Sequence, residues 1–165
     1  MSIGQGTVLV TPMQVARFMA SVANGGVLWK PRLVQRVIRP DRGEVWSDPG
    51  KVNGHIELSP MVWAFLRQSM LSVVNEGTGA AARIPGIDIA GKTGTAQMIA
   101  KSKSEKGQDH AWFASFAPVN DPQMVVVVFV EGGGHGGAIA APIARQIYQA
   151  IFLEKVAMAA LAAGS

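Results

Sequence analysis

Apolar residues recur at helical spacing in two stretches of the first half of the chain. The first stretch follows Thr11-Pro12-Met13-Gln14, a capping box with proline at the first helical position, and stops at Asn24-Gly25-Gly26. The second stretch opens at Ser59-Pro60 and stops at Gly77. The faces of these two predicted helices are Val15, Phe18, Met19 and Val22 in the first, and Val62, Leu66, Ser69, Met70 and Val73 in the second.

Shorter apolar runs predict strands. They cover residues 33–38, a segment that carries Lys92, residues 112–117 and residues 125–130. Residues 39–55 are polar and turn-rich, so they predict a connection. The turn Asn120-Asp121-Pro122 is short, and it therefore predicts that the last two strands form an antiparallel hairpin.

The end of the chain predicts a third helix after Pro142, with Ile143, Ile147 and Ile151 turned inward. Its alanine-rich tail, about residues 153–165, is expected to fray. Helices followed by a meander of about three strands and a last helix predict an α+β fold for residues 1–165. A domain built on a parallel sheet would instead alternate strands with crossover helices.

Composition adds two expectations. Only 16% of the residues are charged, against about 25% in an average soluble domain, so we expect part of a larger domain or a large buried interface. The formal net charge is +4, but the basic residues are scattered without aromatic interleaving. This pattern does not favour nucleic acid as a partner, whereas it suits an anionic envelope or membrane surface.

Cysteine is absent, which excludes disulfides, thiol catalysis and cysteine-bound zinc. The three histidines lack the spacing of metal ligands, so no metal and no cofactor is predicted. No apolar run approaches the roughly 18 residues of a membrane-spanning helix.

The segment Gly91-Lys92-Thr93-Gly94-Thr95-Ala96-Gln97 supports two interpretations. Lys-Thr-Gly on a strand is a signature element of the serine acyltransferases that react with penicillin. Gly86, four residues, and then Gly91-Lys92-Thr93 also match the phosphate-binding loop of nucleotide hydrolases. That loop must run directly into a helix, but Gly94 and the charged residues from 101 onward make a helix there unfavourable. The local sequence therefore favours acyl transfer.

Five ordered blocks carry a more specific resemblance. They are Ser2-Ile3-Gly4-Gln5-Gly6, Thr11-Pro12-Met13-Gln14, Asn24-Gly25-Gly26, Gly91-Lys92-Thr93-Gly94-Thr95-Ala96-Gln97 and His110-Ala111-Trp112-Phe113. Together they resemble the C-terminal part of the transpeptidase domain of a class B penicillin-binding protein. The first block and the glycine-rich loop after Glu131 resemble the elongation type, the penicillin-binding protein two group. The resemblance implies a β-lactamase/transpeptidase-like fold, an antiparallel sheet flanked by helices.

The chemistry that this resemblance implies is D,D-transpeptidation of peptidoglycan stem peptides, a reaction that β-lactam antibiotics block by acylating the serine. Lys92 would assist proton transfer at the serine and attract the substrate carboxylate. The hydroxyls of Thr93 and Thr95 would bind that carboxylate. Gly94 would let the backbone lie against a ligand, and the Thr95 backbone N–H would donate to the oxyanion. Strict strand alternation, however, sends Lys92 and Thr93 to opposite faces.

Neither Ser-x-x-Lys nor Ser-x-Asn occurs in the chain. We therefore expect the nucleophilic serine in an upstream half of the same domain, and we expect the isolated chain to be inactive and to expose apolar surface. The resemblance further implies a periplasmic location, anchored by an N-terminal helix outside this chain. The implied partners are a polytopic glycosyltransferase and scaffold proteins of the elongation complex.

Two alternatives within the same fold stay open. One is a penicillin-sensing or scaffolding domain without turnover. The other is a carboxypeptidase or β-lactamase, which shares Lys-Thr-Gly, although the Ile3-Gly4-Gln5-Gly6 block argues against it. The nucleotide-hydrolase interpretation is the third and least favoured, and it requires a helix after Thr93.

Overall fold

The computed structural model describes residues 8–97 and 109–163, with side-chain environments for residues 8–97 and 109–152. The Ser2 to Gly6 block therefore lies outside the described residues. Helix α1 spans Pro12–Asn24. The Thr11 hydroxyl accepts from the Gln14 N–H at 3.3 Å, and the Gln14 side chain accepts from the Thr11 N–H at 2.8 Å. Gly25 then ends the helix in the left-handed conformation, which confirms the predicted capping box and stop.

Helix α2 spans Pro60–Asn75 and is capped by Ser59, as predicted. Its buried residues are Trp63 and Val74, so the core-facing stripe is rotated by about one residue from the predicted face. Leu66 and Met70 pack against the core as predicted, whereas Val62 is exposed.

In α1, Met19 and Val22 are buried as predicted, but Phe18 is 57% exposed, so the prediction that it faces the core is wrong. Its neighbours explain the difference. Phe18 lines an open groove of the described residues, which leaves it more than half exposed.

Residues 27–55 form four short strands: β1 (Val27–Trp29), β2 (Arg36–Arg39), β3 (Gly43–Ser47) and β4 (Val52–His55). Two antiparallel pairs result, β1 with β4 and β2 with β3. The predicted strand at 33–38 overlaps only β2, and the predicted connection at 39–55 is wrong because it holds two strands. All residues of β2 and β3 are exposed, so backbone pairing holds this hairpin without the buried alternation that identifies strands in a sequence.

The main sheet has three strands in the order β5-β6-β7. Their bounds are Ala90–Ala96, His110–Ala117 and Met124–Val130, and both pairings are antiparallel. This confirms the predicted three-stranded meander and its final hairpin.

Helices cover both faces of this sheet. On one face, Phe113 and Val128 pack against α3, which spans Gly136–Ala163. On the other face, Phe116 packs with Met19 of α1 and Trp63 of α2. Because successive residues of a strand point to opposite faces, β6 contributes to both cores. The layers are helix, antiparallel sheet and helix, which confirms the α+β prediction.

Helix α3 differs from its prediction in start and in orientation. It begins at Gly136, so Pro142 lies inside it, where it cannot donate to the carbonyl four residues earlier. The buried residues are Ala140, Ala141, Ala144 and Tyr148. Ile143 and Ile147 are each 37% exposed, so the prediction that they face inward is wrong. Small alanines let the helix lie close to the sheet, and that close approach leaves the isoleucines outside.

The helical backbone of α3 continues through Ala163, across the tail for which the sequence predicts fraying. Within the described residues, none of the helices combines the length and apolarity needed to cross a membrane.

Candidate active site

The Lys-Thr-Gly segment lies on β5, which pairs with β6 alone in the three-stranded sheet. Strand pairing continues unbroken from Ala90 to Ala96, with Lys92 opposite Ala114 and Thr93 opposite Phe113. The phosphate-binding-loop interpretation requires a helix directly after Thr93. The extended backbone there contradicts it, and the match to that loop is a coincidence of spacing.

Lys92 faces a groove between β5, α1 and α2, with a volume of about 420 Å³. The Lys92 ammonium group donates to the Thr93 carbonyl at 2.7 Å. Apart from Lys92, Thr93 and Gly94, the groove is lined by apolar side chains: Val10, Val15, Phe18, Met19, Val22, Leu66, Met70, Trp112 and Ala114. The Lys92 side chain is therefore a flexible cation at the border of an open, apolar groove.

A second groove, of about 400 Å³, lies at the start of α3. Thr93, Gly94 and Thr95 line it from β5, and Thr78 lines it from the loop after α2. The remaining lining residues belong to the α3 start: His135, Gly136, Gly137 and Ala138. The Thr78 and Thr93 hydroxyl oxygens are 2.7 Å apart. This groove is rich in hydroxyl groups, which suits a ligand that accepts hydrogen bonds.

The two grooves explain how opposite faces of one strand can serve one site. Lys92 faces the apolar groove and Thr95 the hydroxyl-lined one, as strand alternation requires. Thr93 and Gly94 line both grooves. In the part of the chain that the structure describes, β5 is an edge strand of this sheet, so a ligand lying along its outer edge can reach both faces.

Glycines let neighbouring elements approach this strand. A methyl group on Gly91 would lie 2.6 Å from the Phe113 ring, so only glycine fits over that buried side chain. A methyl group on Gly136 would overlap the carbonyl oxygens of Gly94 and Trp112. The first residue of α3 thus packs directly on the backbone of β5 and β6. The sequence predicts a glycine-rich loop here because glycine is a poor helix former, but Gly136 and Gly137 form the first turn of α3.

Tyr148 and Ser115 support the strand beside the site. Their hydroxyl oxygens are 3.0 Å apart, and the Ser115 hydroxyl also donates to the Val126 carbonyl at 3.1 Å. Burial raises the pKa of Tyr148 to about 12. Ser115 pairs with Gly91, so this buried contact fixes α3 to the strand next to Lys92.

The histidines have separate positions. His135 is exposed and lines the hydroxyl-lined groove. His110 begins β6, and its Nδ1 accepts from the Gly132 N–H at 3.0 Å. His55 ends β4. In the part of the chain that the structure describes, no group of three or more His, Cys, Asp or Glu side chains could hold a metal ion.

With this geometry established, the comparisons with known proteins identify the family. The family model described as the penicillin binding protein transpeptidase domain matches residues 1–149. The chain therefore belongs to the penicillin-binding protein transpeptidase family.

The relatives agree with this family. The chain is 38% identical over 160 residues to the peptidoglycan D,D-transpeptidase PbpA of Mycolicibacterium smegmatis, covering 93% of this chain and 31% of the relative. It is also 38% identical over 161 residues to the D,D-transpeptidase MrdA of Acinetobacter baumannii, covering 89% of this chain and 23% of the relative. These matches confirm the resemblance to the elongation-type group. The chain spans about a third or less of each relative's length.

Solved structures agree. The ceftriaxone acyl-enzyme complex of penicillin-binding protein A from M. tuberculosis superimposes with a TM-score of 0.77 at 36% identity. That match covers 90% of this chain and 34% of the solved one. The penicillin-binding transpeptidase fold predicted from the sequence is thereby confirmed.

Proposed function

We propose that this chain is part of a peptidoglycan D,D-transpeptidase and supplies the strand that binds substrate. The observation that carries the proposal is the position of Lys92, Thr93, Gly94 and Thr95 on the edge strand β5, between an apolar and a hydroxyl-lined groove. In the reaction, a serine attacks the penultimate D-Ala carbonyl of a stem peptide and releases the terminal D-Ala. An amine of a neighbouring stem peptide then takes the acyl group.

Each residue has a role in this proposal. Lys92 provides positive charge beside the serine and assists its deprotonation. Thr93 and Thr95 donate hydrogen bonds to the substrate carboxylate. Gly94 has no side chain, so the backbone of the strand can lie directly against the ligand. The Thr95 backbone N–H stabilises the oxyanion, a role worth about 3–4 kcal/mol in comparable acyl transfer.

The serine must come from outside this chain, because neither Ser-x-x-Lys nor Ser-x-Asn occurs in it. The apolar groove at Lys92 is the surface where the remainder of the domain would pack, since it exposes Phe18 and Val10 to solvent in this chain. Packing there would bring a catalytic serine near the Lys92 ammonium group. The isolated chain is accordingly expected to be inactive.

The same proposal places the full-length protein at the periplasmic face of the inner membrane, anchored by a helix outside this chain. It would act there with a polytopic glycosyltransferase and elongation-complex scaffold proteins. The net charge of +4 suits an anionic envelope.

The test is intact-mass spectrometry of the full-length protein after exposure to a β-lactam. We expect a covalent adduct of one drug mass, lost when the upstream serine is replaced. Lys92→Ala should slow acylation by about a hundredfold or more, because it removes the proton-transfer group. Lys51→Ala removes an exposed lysine beside β4, and it should leave the rate unchanged. If well-folded wild-type protein forms no adduct, the transpeptidase proposal fails, and a non-catalytic domain of the same fold is left.

A further inference from the structure

Thr78 is a hydroxyl residue that neither the family motif nor the sequence pattern singles out. It lies between Gly77 and Gly79 in the loop after α2, and its hydroxyl oxygen is 2.7 Å from that of Thr93. The distance is typical of an O–H···O hydrogen bond. Thr78 is thus in direct contact with one of the two threonines proposed to bind the substrate carboxylate.

The backbone around Thr78 is held from two sides. The N–H groups of Gly77 and Gly79 both donate to the Val73 carbonyl, at 3.2 and 2.9 Å, which fixes the loop to the last turn of α2. On the other side lies the start of α3, where a methyl group on Gly137 would overlap the Thr78 carbonyl oxygen. These contacts fix the backbone that carries Thr78 beside Thr93.

The direction of this hydrogen bond decides what Thr93 can do. A threonine hydroxyl has one proton to donate and two lone pairs that accept. If Thr78 donates to Thr93, the Thr93 proton is free to point into the hydroxyl-lined groove. A hydroxyl that already accepts a hydrogen bond is also polarised into a better donor. A carboxylate, which can only accept, would select this direction.

We propose that Thr78 is a positioning residue, which orients the Thr93 hydroxyl as a donor to the carboxylate of the substrate. The proposal rests on the proposed function, because it takes Thr93 to be a carboxylate-binding group. Thr78 acts through Thr93 and not on the reacting carbonyl. Its loss should therefore weaken the recognition of carboxylate-bearing ligands and leave recognition of carboxylate-free ligands unchanged.

The experiment measures second-order acylation rate constants of the full-length protein with a penicillin and with the methyl ester of the same penicillin. Thr78→Val keeps the shape and removes the hydroxyl, whereas Thr78→Ser keeps the hydroxyl. We expect Thr78→Val to slow acylation by the free acid about fivefold to tenfold and acylation by the ester less than twofold. Thr78→Ser should stay within about twofold of wild type for both.

A double-mutant cycle shows whether Thr78 acts through Thr93. Adding Thr78→Val to Thr93→Val should change the rate less than twofold, because the group it orients is already gone. Equal slowing of acid and ester, a Thr78→Ser variant as slow as Thr78→Val, or multiplicative effects in the double mutant would each overturn the proposal.

Folding is checked by the thermal midpoint of each variant. If Thr78→Val does not fold, Thr78→Ala replaces it, with the same expected ratio between acid and ester. Normal acylation of wild type together with no acid-specific loss at Thr78 refutes this proposal alone. No acylation of wild type refutes the proposed function and this proposal with it.

Discussion

On the α3 face of the main sheet, the side chains of Ala140, Ala144 and Tyr148 are completely buried. On the opposite face, where α1 and α2 pack, Phe18 is 57% exposed and a groove of about 420 Å³ lies open beside Lys92. Within the described residues, α3 thus packs closely on one face of the sheet, whereas α1 and α2 leave a groove open on the other. The face with the open groove is also the one that carries the lysine of the proposed active site, which suggests where the remainder of the domain belongs.

The sharpest test of this contrast uses two adjacent residues of α1. Met19 is 3% exposed, so Met19→Ala should cost about 3 kcal/mol of unfolding free energy through lost burial and a cavity. Phe18 is more than half exposed in the described residues. If the rest of the domain fills the groove, Phe18→Ala should cost a similar amount in the complete transpeptidase domain. Chemical denaturation of the complete domain measures both.

The matched control is Met61→Ala, on a residue of α2 that is 80% exposed, which should change stability by less than about 0.5 kcal/mol. A Phe18→Ala variant as neutral as this control would show that the groove stays open in the complete domain. The proposed packing surface would then be wrong.

The second prediction concerns the packing of α3 on the main sheet. Gly136→Ala should destabilise the domain by about 2 kcal/mol, because the added methyl group overlaps two backbone carbonyl oxygens that cannot move independently. It should also slow β-lactam acylation, because one of those carbonyls belongs to Gly94, and a shift of Gly94 would displace the strand proposed to bind substrate. The comparison variant is Gly86→Ala, where the site is open and only the left-handed backbone is strained, at about 1 kcal/mol. Equal costs for the two variants would argue against tight packing of α3 on β5.

The sequence predicted those parts of the fold that local chemistry determines. The Thr11 capping box, the glycine stop at Gly25 and the strand predicted at 125–130 depend on neighbouring residues, and all of them are confirmed. The β2–β3 hairpin was missed because every residue in its strands is exposed, so no buried periodicity marks it. The orientation of α3 was missed because the distance between helix and sheet decides whether alanine or isoleucine faces inward, and a sequence does not contain that distance.

The residues of the candidate site also fall into a group that the sequence predicted and a group that it did not. Lys92, Thr93, Gly94 and Thr95 form one contiguous motif, so the sequence located them on a strand, and the structure confirms that placement. Thr78 and Gly136 come from two other elements, and only tertiary packing brings them to β5. Strand alternation predicted opposite faces for Lys92 and Thr93, and the structure has Lys92 in the apolar groove alone and Thr93 in both grooves. The existence of a groove on each side depends on α1, α2 and α3 together.

The smallest expected effect concerns the buried hydroxyl pair of Ser115 and Tyr148, which joins β6 to α3. Tyr148→Phe removes one hydrogen bond to Ser115, whose hydroxyl keeps the Val126 carbonyl as a partner, so the cost near pH 8 should be about 1 kcal/mol. Burial raises the pKa of Tyr148 to about 12, so above pH 10 the unfolded chain loses this proton before the folded chain does. Wild-type stability should therefore fall between pH 10 and about 12 through this group, and the variant should lack that contribution. Denaturation of both proteins at pH 8, 10 and 11 measures the difference, which should shrink as the pH rises. A difference that stays constant across this range would mean that the phenol is not buried as the structure has it.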